Sequence, residues 1–123
     1  GNPNDAYAKY FIGNSYIAPM DSEYGGLVNV TFEPGCRNNW HIHHASTQVL
    51  VCVAGRGWYQ EFGKEPIEMT PGKVIAIPAE AKHWHGAAKD SWFQHLTYVT
   101  NIGQGASNEW LEPVDEKLCG KLK

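Results

Sequence analysis

The chain has 123 residues, one domain's worth. Ten lysines and arginines against 13 aspartates and glutamates leave a formal charge of −3, which argues against a nucleic-acid backbone binder, because such a protein needs a basic face. With 42% hydrophobic and 19% charged residues the composition is globular, and no apolar run approaches the roughly 20 residues of a membrane span.

From the N-terminus, Gly1 without a methionine reads as a trimmed start. A secretory leader ahead of it would imply the periplasm. Asp5 to Phe11 reads as one helical turn, with Asp5 as N-cap and Tyr7, Tyr10 and Phe11 on one side. Val28, Val30 and Phe32 alternate with Asn29, Thr31 and Glu33, which predicts a half-buried strand ending at Glu33-Pro34-Gly35. Gln48 to Ala54 is a nearly continuous apolar, β-branched run and predicts a strand buried on both faces. Gly55-Arg56-Gly57 then reads as a tight hairpin turn.

Trp58 to Phe62 resumes the alternation and stops at Gly63-Lys64. Pro66 to Met69 is a short strand ended by Thr70-Pro71-Gly72. Val74, Ile75 and Ile77 form another, ended by Pro78, and Trp92 to Thr100 is a longer aromatic and β-branched one. Glu112-Pro113 followed by Val114 to Leu122 reads as a short amphipathic helix. Its acids Glu112, Asp115 and Glu116 precede Lys117, Lys121 and Lys123, an order that complements the helix dipole. Turn signals recur every 8–12 residues or so, the spacing of an all-β sandwich or barrel. Cys36, Cys52 and Cys119 form no CxxC pair and cannot all pair in one chain. They therefore argue against a disulfide scaffold or an all-cysteine zinc site and lean towards a reducing, cytoplasmic compartment.

All six histidines lie between His41 and His95. His41 and His43 are two apart, so an extended Trp40 to His44 turns both to one face of a sheet. His44 has the opposite parity and faces out. His83 and His85 repeat the spacing, and His95 stands alone on the last long strand. Neutral imidazole is the commonest metal ligand, and a small closed sheet brings distant strands together. Cys52 shares strand parity with Gln48 and reads as a buried structural thiol. Trp40, Trp58, Trp84, Trp92, Tyr59 and Phe93 read as core or cavity wall. Arg56, Glu80 and Lys82 read as solvated surface charge, and Asn108 to Glu112 as a segment packing over the barrel or a partner subunit.

The punctuation around the histidines resembles the two motifs of the cupin superfamily. Gly35, His41-Ile42-His43, Gln48 and Gly55 match the spacing of the first motif, with Gln48 where most metal-binding members carry Glu. Gly72, Pro78-Ala79-Glu80 and His83 are similar to the second, except that Glu80 replaces its inner Gly and Ala87 stands where it usually ends in Asn. Phe32 to Gly35, Trp40-His41, Gly55 to Trp58 and Lys82 to Ala88 resemble a narrower subgroup. It comprises small single-domain cupins associated with carboxymuconolactone decarboxylases, and includes cupin-type hydroxynitrile lyases.

The resemblance implies an all-β cupin over residues 1–123, a jelly-roll-like double-stranded β-helix barrel with short terminal helical segments. It implies a divalent transition metal held by His41, His43, Gln48 and His83. Manganese is the first choice, with iron, zinc or nickel as alternatives. It places His85 and His95 near substrate, where an imidazole can move protons. Three imidazoles and a neutral amide leave the ion its full +2 charge, which favours Lewis-acid over redox work. The expected activity is lyase, isomerase or decarboxylation-linked chemistry on a small organic molecule. A metal-dependent dioxygenase and a non-enzymatic small-molecule binder are the alternatives. Members of this kind dimerise through edge strands, so a homodimer is expected.

Overall fold

Period-two alternation, interrupted by glycine and proline, produces short strands, and most turns carry the chain from one sheet to the other. The computed structural model describes residues 2–5, 7–21, 27–100, 102–115 and 122. Among these residues thirteen strands form: β1 (Asn2–Pro3), β2 (Phe11–Ile12), β3 (Ser15–Asp21), β4 (Leu27–Phe32), β5 (Arg37–Asn38), β6 (His41–His44), β7 (Thr47–Gly55), β8 (Gly57–Glu61), β9 (Ile67–Met69), β10 (Val74–Ile77), β11 (His83–Ala87), β12 (Phe93–Thr100) and β13 (Ser107–Trp110). One sheet has the order β1-β3-β4-β12-β7-β10. The other runs β13-β6-β11-β5-β2, with β8 on the free side of β11 and β9 beyond it. All pairings are antiparallel. Two facing antiparallel sheets whose successive strands switch sides make a jelly roll.

The predicted strands form within a residue or two of their expected ends. Several local readings are corrected. Gly55-Arg56-Gly57 is a corner and not a hairpin, since β7 pairs with β12 and β10 while β8 pairs with β11 and β9. Gly55 takes φ +71°, and a Cβ there would lie 1.8 Å from the Trp92 carbonyl oxygen, so the chain crosses between sheets where only glycine fits. Arg56 bridges Glu68 at 3.0 Å and Asp90 at 2.9 Å, so it is ion-paired. β7 is buried on both faces only at its centre, for Val49, Leu50 and Cys52 are buried while Val53 is 40% exposed. Trp92 is likewise exposed.

At the N-terminus the helical turn is a 3-10 segment, Ala8–Tyr10, with no side-chain cap; Asp5 contributes its backbone carbonyl to the Ala8 N–H. Leu111 to Asp115 has no helical structure, and the remainder of the predicted C-terminal helix, with Cys119, lies outside the described residues apart from Leu122.

Two apolar clusters hold the sandwich. Phe32, Leu50, Cys52, Tyr59, Met69, Ile77 and Phe93 fill one end between the sheets. Trp40, Trp84 and Val114 form the second, joined by Trp58 and Leu111, so the C-terminal segment does pack over the barrel. The other end of the sandwich is left open as a cavity of about 460 Å³.

Candidate metal centre

β6 alternates as its sequence predicts: His41 and His43 are buried, and Ile42 and His44 less so. Antiparallel pairing sets His83 of β11 directly opposite His41. The resulting ring centroids are 4.1 Å apart for His41 and His83, 5.1 Å for His41 and His43, and 5.2 Å for His43 and His83. His85 follows on the same face of β11, 5.9 Å from His41, and His95 of the opposite sheet lies 5.0 Å from His85. A bulge in the β7–β12 pairing falls between Gln94 and His95, where strand irregularity re-aims side chains. The rings of Phe32 and Phe93 pack beside His95 and wall off this end of the cavity.

Side-chain nitrogens of His41, His83 and His85 lie within 4.8 Å of one another, close enough to share one ion. His85 is thus nearer to ligand geometry than its sequence role as a proton carrier suggested, because i, i+2 spacing on a strand puts it on the same face as His83. Its ring nitrogens are engaged by Asn38, whose Nδ2 approaches Nε2 at 3.1 Å and Nδ1 at 3.4 Å.

The other histidines are held differently. His41 Nδ1 donates to the Asn39 carbonyl at 2.8 Å and His83 Nδ1 to the Ala81 carbonyl at 2.9 Å. His43 Nδ1 donates to Asn108 Oδ1 at 2.6 Å. A carbonyl only accepts, so each of these rings carries its proton on Nδ1 and offers a lone pair on Nε2. His43 Nε2, His83 Nε2, His95 Nε2 and Gln48 Oε1 are buried without a hydrogen-bond partner. Gln48 enters from β7 and gives its Nε2 to Thr97 Oγ1 at 2.9 Å. Buried polar atoms are rarely left unpaired, so a cluster of acceptor atoms in this state is the signature of a place for a cation.

Electrostatics agree with that chemistry. Burial pushes the His83 and His95 pKa values down to about 4 and holds His41 and His85 well below the usual imidazole value, with neighbouring histidines adding to the effect at His41 and His85. All four are neutral at pH 7, the form that binds metal or accepts a proton. His44 faces outward as predicted and is bonded to Glu109 and Glu80, which raise its pKa. Glu80, in place of the second motif's inner Gly, keeps the left-handed backbone at φ +70°. Its Oε1 accepts the Ala45 N–H at 2.9 Å, and its own N–H donates to the His43 carbonyl at 2.9 Å. Cys52 is a core thiol bonded to the Ala54 carbonyl, as its structural reading held.

The cavity is lined by His41, His43, Gln48, His85 and His95 together with the apolar Ile17, Val28, Val30 and Phe32. His83 lies behind this wall and is fully buried. Asn38, Thr97, Asn108 and Trp110 also face the cavity and were not singled out as site residues from the sequence. Their roles depend on cross-strand register, which leaves no local motif.

A jelly roll with histidines of the first motif opposite those of the second defines a cupin. Residues 28–96 match the Cupin domain family, and the chain belongs to it. It is 36% identical over 114 residues to the (R)-mandelonitrile lyase of Granulicella tundricola, covering 89% of this chain and 86% of that one. A cupin-like protein of Thermotoga maritima is similar with a TM-score of 0.85 and 34% identity, over 94% of this chain and 90% of that one. A DMSP lyase of Ruegeria pomeroyi shares the fold alone, with a TM-score of 0.65 and 17% identity over 91% of this chain and 57% of that one. Among the described residues no helix is long and apolar enough to cross a membrane.

Proposed function

We propose that the protein is a metal-dependent lyase that makes or breaks a carbonyl adduct, a cyanohydrin of the mandelonitrile type being the first substrate to test. The reading is carried by the buried, unpartnered His43 Nε2, His83 Nε2 and Gln48 Oε1 beside the His41 ring. These three residues and His41 would hold the ion through Nε2 and Oε1. His85 is set apart from them by its bond to Asn38. The amide oxygen is a hard donor and suits manganese, while the imidazoles also accept iron, zinc or nickel. Such an ion supplies Lewis acidity toward a carbonyl or nitrile group.

The chain's own groups do the rest. His95 is neutral, its Nδ1 lies 3.3 Å from the Leu96 carbonyl, and its free Nε2 faces the cavity. It takes the hydroxyl proton of a cyanohydrin as the bond to the nitrile carbon breaks, leaving a carbonyl compound and cyanide. Returning the proton gives hydrogen cyanide. His85, 5.0 Å from His95, relays that proton. Val28, Val30 and Ile17 hold the apolar part of the substrate and exclude water.

Elemental analysis of purified protein should find a divalent transition metal, and mandelonitrile should be cleaved to benzaldehyde. His95→Ala should keep the metal and lose activity by about 10²–10⁴-fold, the usual worth of a general base. Protein that carries no metal, or full activity in His95→Ala, would sink the corresponding half of the proposal.

We also assign a homodimer, formed by covering the outer face of the first sheet. Leu96, Val51 and Val74 lie in one cross-strand row there, and Tyr98, Val49 and Ala76 in the next.

A further inference from the structure

Of the three imidazoles proposed as ligands, two are oriented by the backbone. The acceptors for His41 and His83 are the carbonyls of Asn39 and Ala81, each two residues earlier in the chain. No substitution removes a carbonyl. His43 is the exception, for its Nδ1 is held by the side chain of Asn108 at 2.6 Å. Asn108 belongs to β13, an edge strand whose only partner among the described residues is β6, and register places it directly opposite His43. The neighbours on that strand make parallel contacts. Glu109 Oε1 lies 2.8 Å from His44 Nε2, and the Trp110 ring lies 4.6 Å from the His41 ring. Tyr10 stacks on Trp110, 4.5 Å away and at 2° to its plane. Three successive residues of β13 thus touch three histidines of β6. The β13 residues lie beyond residues 28–96, the segment that matches the family.

We infer that Asn108 is a positioning residue for the metal centre: it fixes the proton of His43 on Nδ1 and so directs the Nε2 lone pair at the ion. This rests on His43 being a ligand, as proposed above. The alternative occupant of the Asn108 position is water, because Asn108 sits exposed at the cavity rim while His43 is buried. Water donates as readily as it accepts, so it does not select a tautomer. An amide oxygen held by strand pairing does. Groups in this relation to a ligand typically change metal affinity by 10–100-fold.

The test compares wild type, Asn108→Ala, Asn108→Asp and His43→Ala by chelator competition with Mn(II), and by thermal unfolding of the metal-free proteins. Asn108→Ala should bind Mn(II) about tenfold or more weakly. Its metal-free melting temperature should stay close to wild type. Asn108→Asp keeps an acceptor in place and should restore the affinity. Long-range ¹H–¹⁵N spectra of the metal-free protein should show His43 protonated on Nδ1 in wild type and Asn108→Asp, and as a tautomer mixture in Asn108→Ala. Wild-type affinity and an unchanged His43 tautomer in Asn108→Ala, with weakened binding in His43→Ala, would overturn the role of Asn108 and leave the ligand set standing. Asn108→Asp binding as weakly as Asn108→Ala would overturn it too. Unchanged affinity in His43→Ala would instead remove His43 from the ligands, and this inference with it.

Discussion

At Gln48 one atom would decide how much charge the proposed centre keeps. The side chain enters the cavity with Oε1 unpartnered and Nε2 fixed by Thr97. A neutral amide leaves a bound divalent ion its full charge, whereas a carboxylate would cancel one unit in a buried setting where charges interact strongly. Gln48→Glu should therefore bind Mn(II) more tightly, by about tenfold or more at the effective dielectric of a partly buried site. It should also cleave mandelonitrile more slowly, because the ion polarises its substrate less. Chelator competition and initial rates measure both, and tighter binding with undiminished turnover would show that ion charge does not limit the reaction. Much of this site was legible at the residue scale. Strand parity alone aligned His41 with His43, and His83 with His85. It did not separate a ligand from a proton carrier on the same face, and His85 lies within ligand spacing of His41 and His83. Nor did it reveal Asn38, Thr97 or Asn108, since the strand opposite a residue is set by register and not by neighbours in sequence.

Among the elements, the middle strands were readable because turn residues bound them and their apolar residues alternate. β1, β2, β5 and β13 were not, nor was the seven-residue β3, whereas the edge strands β9 and β10 were. β1, β2 and β13 have two to four residues each, too few for a period to show. Gly55-Arg56-Gly57 shows a second limit: glycine marks a change of direction but not whether the chain returns to the same sheet. β7 shows a third. Its unbroken apolar run was read as burial on both faces, yet Val53 is 40% and neighbouring Val74 is 56% exposed. Apolar side chains in register across β12, β7 and β10 make a continuous outer face of the kind that mediates association. Wild type should therefore run at twice 13.7 kDa in light scattering. Val74→Glu places a charge at the β10 end of that row and should return the protein to monomer mass. A monomeric wild type would show that this face stays in water.

Across the whole molecule, the histidine cluster makes stability depend on pH in a calculable direction. His83 and His95 protonate only near pH 4 in the folded protein, and His41 and His85 are also held well below 6.5, the ordinary imidazole value. The unfolded chain takes these protons near pH 6.5. Between about 6.5 and 4 it therefore binds more protons than the fold does, and stability falls as pH falls. Above that window these four groups are neutral in both states and contribute no slope. His44 acts in the opposite sense. Its raised pKa stabilises the fold below pH 6.5, and that contribution is lost as pH rises through the raised value. His44 is one partly exposed group against four buried ones, and exposed ion pairs contribute little. The metal-free melting temperature should thus be nearly level between about pH 7 and 8, below the range where the buried thiols of Cys36 and Cys52 act, and decline continuously towards pH 4. The same neutrality has a consequence for metal uptake. Of the proposed ligands, His41 and His83 are already deprotonated and have no proton to give up, so Mn(II) binding at pH 7 should draw none from them. Calorimetric titration in two buffers of different ionisation enthalpy measures this directly, because equal apparent heats mean no proton exchange. A large buffer-dependent difference at pH 7 would show that the imidazoles are charged before the metal arrives, and that burial does not hold them neutral.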